Sequence, residues 1–469
     1  MRLRLSVLFL LIGFSGLFAQ SDHLPGEMIV LLRPGVSPQA LQRDFALQRD
    51  PLVLRYERLL SARMNIHLLR VEGDAAAEEK ALSRIARHPQ VILAQFNHRI
   101  ETRETHQQPN DPGFAQQWAL NNTGQTGGLA DADVDAPEAW NITTGGVSSL
   151  GDTIVVAVID EGIDIQHEDL DLWKNHAEIP GNGLDDDANG YTDDYQGWNA
   201  YSGNGSIPAS YHGTHVAGIV AAIGNNGIGV SGINWHTKVM NIAGSSGNEA
   251  VVISAYGYVL EMRKRYNESD GLEGAFVVAT NASFGVNYGN PVNYPIWCAI
   301  YDSLGAAGVL NVSATMNINA NVDVSGDVPS TCASPYLLTV TNTTASDQKN
   351  GGAAYGLLSI DIGAPGTSIR STLPGNTYGF ETGTSMAAPL VAGTAALLVS
   401  AACPALMVRY RSDPAGTVLL LKQLIMNGSD AIPGLQGQVV SGRLNAYQSL
   451  LLLQDSCALI PANCLPPYQ

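Results

Sequence analysis

The chain has 469 residues, 45% of them hydrophobic and 14% charged, with a formal net charge of −18; an ordinary soluble domain carries roughly 25% charged residues. Such a chain lacks the basic surface that nucleic-acid phosphates require and is too apolar for a disordered polyelectrolyte. Its length suits one large domain with a smaller companion.

The charge is divided unevenly. Residues 1–105 carry 14 Lys and Arg against 11 Asp and Glu, whereas the remainder carries 11 against 32. A mildly basic leader therefore precedes an acidic body, whose field attracts that leader and favours basic substrates.

Arg2 and Arg4 precede an almost wholly apolar run at residues 5–18, and Ala19 supplies a small residue for cleavage. Residues 1–19 thus read as a signal peptide. The run is short for a membrane anchor, and no later stretch reaches about 18 consecutive apolar residues, so a secreted protein with no membrane span is expected. Export permits disulfides. Cys298 with Cys332 and Cys457 with Cys464 are two possible closures, leaving Cys403 over; five free thiols are the alternative. None has the paired spacing of a zinc site.

Residues 24–103 read as a small α+β unit, with strands at 27–32, 65–71 and 91–96 and helices at 38–45 and 75–87. A polar stretch at 101–110 then forms an exposed linker open to proteolytic nicking. Beyond residue 114, the apolar runs at 154–159, 276–279, 308–312 and 337–340 are continuous rather than alternating, as strands buried on both faces require. Helices are predicted at 213–223, 251–265, 297–307, 386–402 and 417–427. This alternation points to an α/β fold around an open, mostly parallel sheet, whose ligands sit beyond the strand C-terminal ends.

Asp160 directly follows the first buried strand. His212 opens a predicted helix of very small residues, which packs deeply and holds the imidazole still. Ser385 lies where a tight turn enters a helix, so its own N–H is free and the helix dipole favours a developing oxyanion; Pro389 is tolerable only near the first turn. Taken singly, these are a strand-end Asp and two helix-capping residues. Together they supply a nucleophilic hydroxyl, a base and a carboxylate that fixes the base's tautomer, in one of the known chain orders of that triad.

The surrounding residues resemble the subtilisin family of serine proteases, the subtilases. Val158-Ile159-Asp160-x-Gly162-Ile163 resembles the aspartate motif, His212-Gly213-Thr214-His215-Val216-Ala217-Gly218 the histidine motif, and Gly383-Thr384-Ser385-Met386-Ala387-Ala388-Pro389 the serine motif. Asn281-Ala282-Ser283-Phe284-Gly285 is similar to the strand that pairs with substrate backbone, so Ser283, Phe284 and Gly285 are expected to wall the specificity pocket. Ile362-Gly363-Ala364-Pro365-Gly366 is a further hallmark, and residues 24–100 resemble the family's chaperone and inhibitory prodomain. The resemblance implies a subtilisin-like three-layer fold after a small α+β prodomain. It also aligns Asn317 with the family's oxyanion asparagine, Met316 standing where a Gly is usual. Glu161 departs from the usual Thr or Ser; it either raises the pKa of its neighbours or points to solvent.

The stretch 182–194 places Asp185, Asp187, Asn189 and Asp193 at the oxygen-ligand positions of an EF-hand-like loop, with Gly190 at the sharp turn and Tyr191 at the carbonyl position. The closing Glu is absent, Gln196 standing in its place. Such crowded carboxylates need a cation, and calcium suits flexible all-oxygen coordination. By resemblance, Gly224-Asn225-Asn226-Gly227-Ile228-Gly229-Val230 is a second calcium loop, with Asn226 and the distant Asp169 as ligands.

The expected organisation is a signal peptide at 1–19, a prodomain at 24–103, a catalytic domain at 110–454 and a short tail at 455–469. The expected function is that of a secreted, calcium-stabilised serine endopeptidase, an autoprocessing zymogen acting on peptides and held by its own prodomain. The alternatives are an inactive calcium-binding interaction module on the same scaffold, and an esterase using the same triad. No G-x-S-x-G elbow surrounds Ser385 to support the esterase.

Overall fold

The computed structural model describes residues 23–48, 52–71, 73, 75–98 and 107–459. The signal segment, residues 101–106 of the linker and Cys464 lie outside the described residues. The chain divides into two compact units, Met1–Thr105 and His106–Gln469.

The first unit contains β1 (His23–Leu32), α1 (Pro38–Ala46), β2 (Leu54–Ser61), β3 (Ile66–Val71), α2 (Ala75–Ala86) and β4 (Val91–His98). Its sheet runs β2-β3-β1-β4 with every pair antiparallel. Burial alternates along β1, so Met28 and Val30 pack with Leu41, Phe45 and Ile85 on one face of the sheet. The α1 helix starts where the Ser37 hydroxyl accepts the Ala40 N–H at 3.2 Å, with Pro38 at the first helical position. The sequence pattern did not foretell β2. Arg55 to Leu60 are all exposed on an edge strand, where Arg55, Glu57 and Arg58 erase the apolar alternation.

In the second unit the strands are β5 (Val155–Asp160), β6 (Trp198–Asn199), β7 (Lys238–Ala243), β8 (Val277–Ala282), β9 (Val286–Asn287), β10 (Leu310–Ala314), β11 (Asp327–Val328), β12 (Leu337–Thr343), β13 (Ile362–Pro365), β14 (Ile369–Leu373) and β15 (Thr377–Glu381). Seven of them form one parallel sheet in the order β13-β12-β10-β8-β5-β7-β6. The helices that cover it are α3 (Tyr211–Ala221), α4 (Glu249–Glu268), α5 (Pro295–Ala307), α6 (Thr384–Ala401), α7 (Pro404–Ser412), α8 (Pro414–Asn427) and α9 (Ala446–Ala458).

Central β5 shows why its apolar run is continuous. Val156 and Val158 enter a core shared with α3, α6, α8 and α9, while Val155, Ala157 and Ile159 enter a second core with α4 and α5. The fold is therefore the expected three-layer α/β arrangement, with a separate small antiparallel domain at the N-terminal end of the chain. The α6 helix is long and apolar enough to cross a bilayer, but every residue from Thr384 to Val399 is buried within the protein.

Cys298 and Cys332 form a disulfide, 5.3 Å between Cα atoms. The second pairing differs from the expected one: Cys457 bonds Cys403 across 54 residues, not Cys464. Packing of α9 against α6 and α8 carries Cys457 to the segment that leaves α6, and nearness in sequence gives no hint of that.

Candidate active site

Asp160 ends β5 at the C-terminal edge of the parallel sheet and is only 1% exposed. His212 stands in the first turn of α3, and its Nδ1 lies 2.9 Å from both Asp160 oxygens. Asp160 Oδ1 also accepts the Glu161 N–H at 2.8 Å. The carboxylate thus keeps the proton on Nδ1 and leaves Nε2 as the basic nitrogen. Helix and strand meet this closely because residue 213 is glycine: a Cβ there would sit 2.0 Å from the Gly162 carbonyl oxygen and 3.0 Å from Asp160 Cβ.

Burial pushes the His212 pKa down, but the bond to Asp160 and the negative fields of Asp160, Glu161 and Glu381 outweigh it, leaving the imidazole above its ordinary 6.5. Glu161 is exposed and accepts the Ser210 hydroxyl at 3.1 Å, so it faces solvent and also acts on His212 through its field. His215 in the same motif is different. Burial pushes its pKa down to about 4, and its Nε2 faces the Ile369 carbonyl at 3.0 Å, so it stays neutral and structural.

Ser385 is the second residue of α6, where the first helical turn leaves its N–H without an intrahelical acceptor. Its Oγ donates to the Ser283 carbonyl at 3.3 Å, and no hydrogen bond joins it to His212. Catalytic hydrogen bonds often form only once substrate is bound. Pro389 lies within the helix, beyond its first turn, contrary to the tolerance expected from sequence. It has no N–H for the Ser385 carbonyl, which instead accepts the Ser283 hydroxyl at 2.9 Å. Ser283 therefore anchors the Ser385 peptide. Ser283→Ala is expected to cost about 1–3 kcal/mol of stability by stranding that buried carbonyl. Denaturant unfolding checks the figure.

Asn317 lies beside this turn. Its Oδ1 accepts the Thr384 N–H at 2.9 Å and the Thr384 hydroxyl at 3.1 Å, which leaves its Nδ2 donors available. The two neighbouring asparagines are engaged elsewhere: Asn319 accepts the Lys349 ammonium, and Asn321 accepts the Asp323 N–H. Met316, in place of the usual glycine, is buried with Val322 and Ile360. Ser283, Phe284, Gly285, Asn317 and Ser385 line one cavity of about 160 Å³. A larger cavity of about 570 Å³ opens where β5 and β7 begin, beside Val155 and Lys238, and contains none of these residues.

The acidic loop assembles differently from the expected ligand set. Ligand oxygens of Glu178, Asp185 and Asp187 lie within 4.8 Å of one another. Glu178, seven residues before Asp185, was not anticipated from the loop's spacing; it is 3% exposed and accepts the N–H groups of Asp186, Asp187 and Asp193. Asp193 turns away, accepting the Asn182 and Gly183 N–H groups at 3.0 Å each. Asn189 commits its Oδ1 to the Tyr191 N–H at 2.7 Å, and the Tyr191 ring packs against Trp198 and Tyr258, leaving Tyr191 only its carbonyl to offer. Arg265 reaches only the backbone carbonyls of Asp187 and Ala188 in this loop. Three gathered carboxylates without a side-chain cation fit a hard, oxygen-seeking metal ion.

In the second loop, Asn226 Nδ2 donates to Asp169 Oδ1 at 2.7 Å, and the Val230 N–H donates to Oδ2 at 3.0 Å. Asp111, another unanticipated residue, accepts the Asn225 and Asn226 N–H groups. Burial, with Asp111 adding to it, pushes the Asp169 pKa up to about 6. A cation would relieve that crowding.

Comparisons with known proteins agree with this architecture. The sequence model described as the Subtilase family matches residues 151–444. The chain is 31% identical over 398 residues to an extracellular protease of Xanthomonas campestris, covering 80% of this chain and 61% of that protein. It is 32% identical over 256 residues to subtilisin E of Bacillus subtilis, covering 53% of this chain and 56% of that one. A solved protease structure from Pseudoalteromonas arctica shares the fold, with a TM-score of 0.51 at 23% identity, covering 74% of this chain and 100% of the solved one. The chain thus spans about three fifths of the length of the curated relatives it matches. With a family match over most of its length on a parallel three-layer fold, the chain belongs to the subtilase family.

Proposed function

We propose that this chain is a secreted, calcium-stabilised serine endopeptidase made as an autoprocessing zymogen. The observation that carries the reading is the Asp160–His212 pair at the sheet's C-terminal edge, with Nδ1 committed to the carboxylate. Ser385 Oγ attacks the scissile carbonyl while His212 Nε2 takes its proton. That proton then passes to the leaving amine, an acyl-enzyme remains on Ser385, and water activated by His212 hydrolyses it. Asp160 orients the imidazole and stabilises its protonated form. The tetrahedral oxyanion is held by Asn317 Nδ2 and the Ser385 N–H. Ser283, Phe284 and Gly285 bind substrate backbone and wall the side-chain pocket.

Residues 24–103 serve as the inhibitory prodomain, removed by a cut within 101–112 to release the catalytic domain at 110–454. Calcium at Glu178, Asp185 and Asp187, and in the Asp169 and Asn226 loop, stabilises the fold and takes no part in the chemistry. The names of the relatives support secretion, since two are extracellular proteases.

A protonated Nε2 cannot act as a base, so activity falls as pH drops through the raised His212 pKa. The acid limb of kcat/KM is therefore expected above the ordinary histidine value of 6.5. Glu161→Gln and Glu381→Gln should each move it toward lower pH, as read from pH profiles on an uncharged substrate.

Covalent labelling by a serine-directed phosphonate, with calcium and with chelator, tests the whole reading. Label that appears in the wild type, disappears in Ser385→Ala and accompanies loss of the leader supports it. Calcium-loaded, folded protein that takes no label after trimming by a helper protease is an inactive interaction module.

A further inference from the structure

The cavity beside Ser385 contains a single charged lining residue, Asp327. Asp327 opens β11, which pairs antiparallel with β9, placing Asp327 opposite Asn287. The two strands close because residue 285 is glycine: a Cβ there would lie 2.4 Å from the Val328 carbonyl oxygen. The Asp327 side chain is 2% exposed. Its Oδ2 collects three neutral donors, the Thr315 hydroxyl at 2.9 Å, the Met316 N–H at 3.1 Å and the Ser330 hydroxyl at 2.7 Å. Oδ1 takes part in none of these bonds. Among the described residues, no Lys, Arg or His contributes to the carboxylate's surroundings.

Three donors on one oxygen lock the carboxylate's orientation, and the other oxygen remains available to a ligand. Burial pushes its pKa up, as expected for an acid with no cation beside it. A side chain that brings its own cation into the cavity relieves that cost. The cavity, about 160 Å³, has space for one long side chain, with Gly285 and Ala314 among its small lining residues for an aliphatic stem. Its opening lies beside the Ser385 turn, so the side chain that enters belongs to the residue whose carbonyl is attacked. The acidic body, with 32 Asp and Glu against 11 Lys and Arg after residue 105, draws cationic substrates toward it.

We propose that Asp327 is a specificity-determining residue and that this enzyme cleaves after Lys and Arg. The proposal rests on the peptidase reading above and adds the substrate class.

Three peptide substrates differing only in Arg, Lys or Phe before the scissile bond test it, using trimmed, calcium-loaded enzyme. The expected result is a wild-type preference for Arg and Lys over Phe, which Asp327→Asn reduces by about 100-fold, the scale for stranding a buried charge. Benzamidine, a small cation, should compete in the wild type and lose about as much affinity in the variant. Phosphonate labelling shows whether the variant is folded and active; if it is not, the wild-type preference and benzamidine inhibition decide the matter alone. Wild-type enzyme that labels at Ser385 yet prefers Phe, and ignores benzamidine, overturns the Asp327 assignment and leaves the peptidase intact. Absence of Ser385-dependent labelling overturns both.

Discussion

The Ser385→Ala variant is expected to lose about six orders of magnitude in kcat, and adding His212→Ala to it should cost almost nothing more. The two side chains perform one act: without the hydroxyl there is no proton for Nε2 to accept, and without Nε2 the hydroxyl is a poor nucleophile. Asn317→Ala should fall in between, losing about 10²–10³ in kcat, because it removes one oxyanion donor and leaves the proton transfer in place. Ser283→Ala offers a contrast, since it disturbs the nucleophile's peptide through stability. Single-turnover kinetics on enzyme trimmed by a helper protease makes the comparison, because Ser385→Ala cannot process itself. Equal losses at Ser385 and Asn317, or losses at Ser385 and His212 that simply add, would sink this division of labour.

Chelation is expected to have the largest effect on stability. A ligand present at 1,000 times its dissociation constant stabilises the folded state by about 4 kcal/mol, which for a domain of this size lowers the melting temperature by roughly 6 °C when withdrawn. The physical origin is the juxtaposition of Glu178, Asp185 and Asp187, whose ligand oxygens repel one another unless a cation lies among them. Glu178→Gln removes one of those charges, so it should weaken calcium binding measured by calorimetry and shrink the gap between chelated and loaded melting temperatures. Asp193→Asn should leave the binding nearly unchanged, because Asp193 lies outside the group of three carboxylates whose ligand oxygens gather within 4.8 Å. A melting temperature indifferent to chelator refutes the structural role of calcium. Stronger loss from Asp193→Asn than from Glu178→Gln returns the ligand set to the one expected from the loop's spacing.

Much of the parallel-sheet unit was legible in the residues themselves. The apolar run at 154–159 predicted β5 within one residue, and the five predicted helices each correspond to an observed one with boundaries shifted by a few residues. Asn248 shows why the boundaries moved: it caps α4 through the Val251 N–H, one turn before the apolar periodicity begins. Elements with weak local signals went unpredicted. The edge strand β2 carries charges on exposed positions, and Asn241 interrupts the apolar run of β7 from within the buried sheet. The same division applies to the candidate site. Asp160, His212 and Ser385 announced themselves because each sits in a short segment whose glycines and small residues serve that one position.

Glu178, Asp327, the Cys403–Cys457 bond and the tie between Ser283 and Ser385 carried no such mark. Ser283 is 102 residues from the carbonyl it holds, and Asp327 reaches the cavity only through the pairing of β11 with β9. The sequence alone therefore determined the order of buried strands and helices and the family motifs around Asp160, His212 and Ser385, since apolar periodicity and turn chemistry operate within a few residues of the chain. Tertiary structure alone decided the third member of the carboxylate cluster, the charged lining of the cavity and the cysteine partner. Those depend on which distant segments a packed core brings within hydrogen-bonding distance.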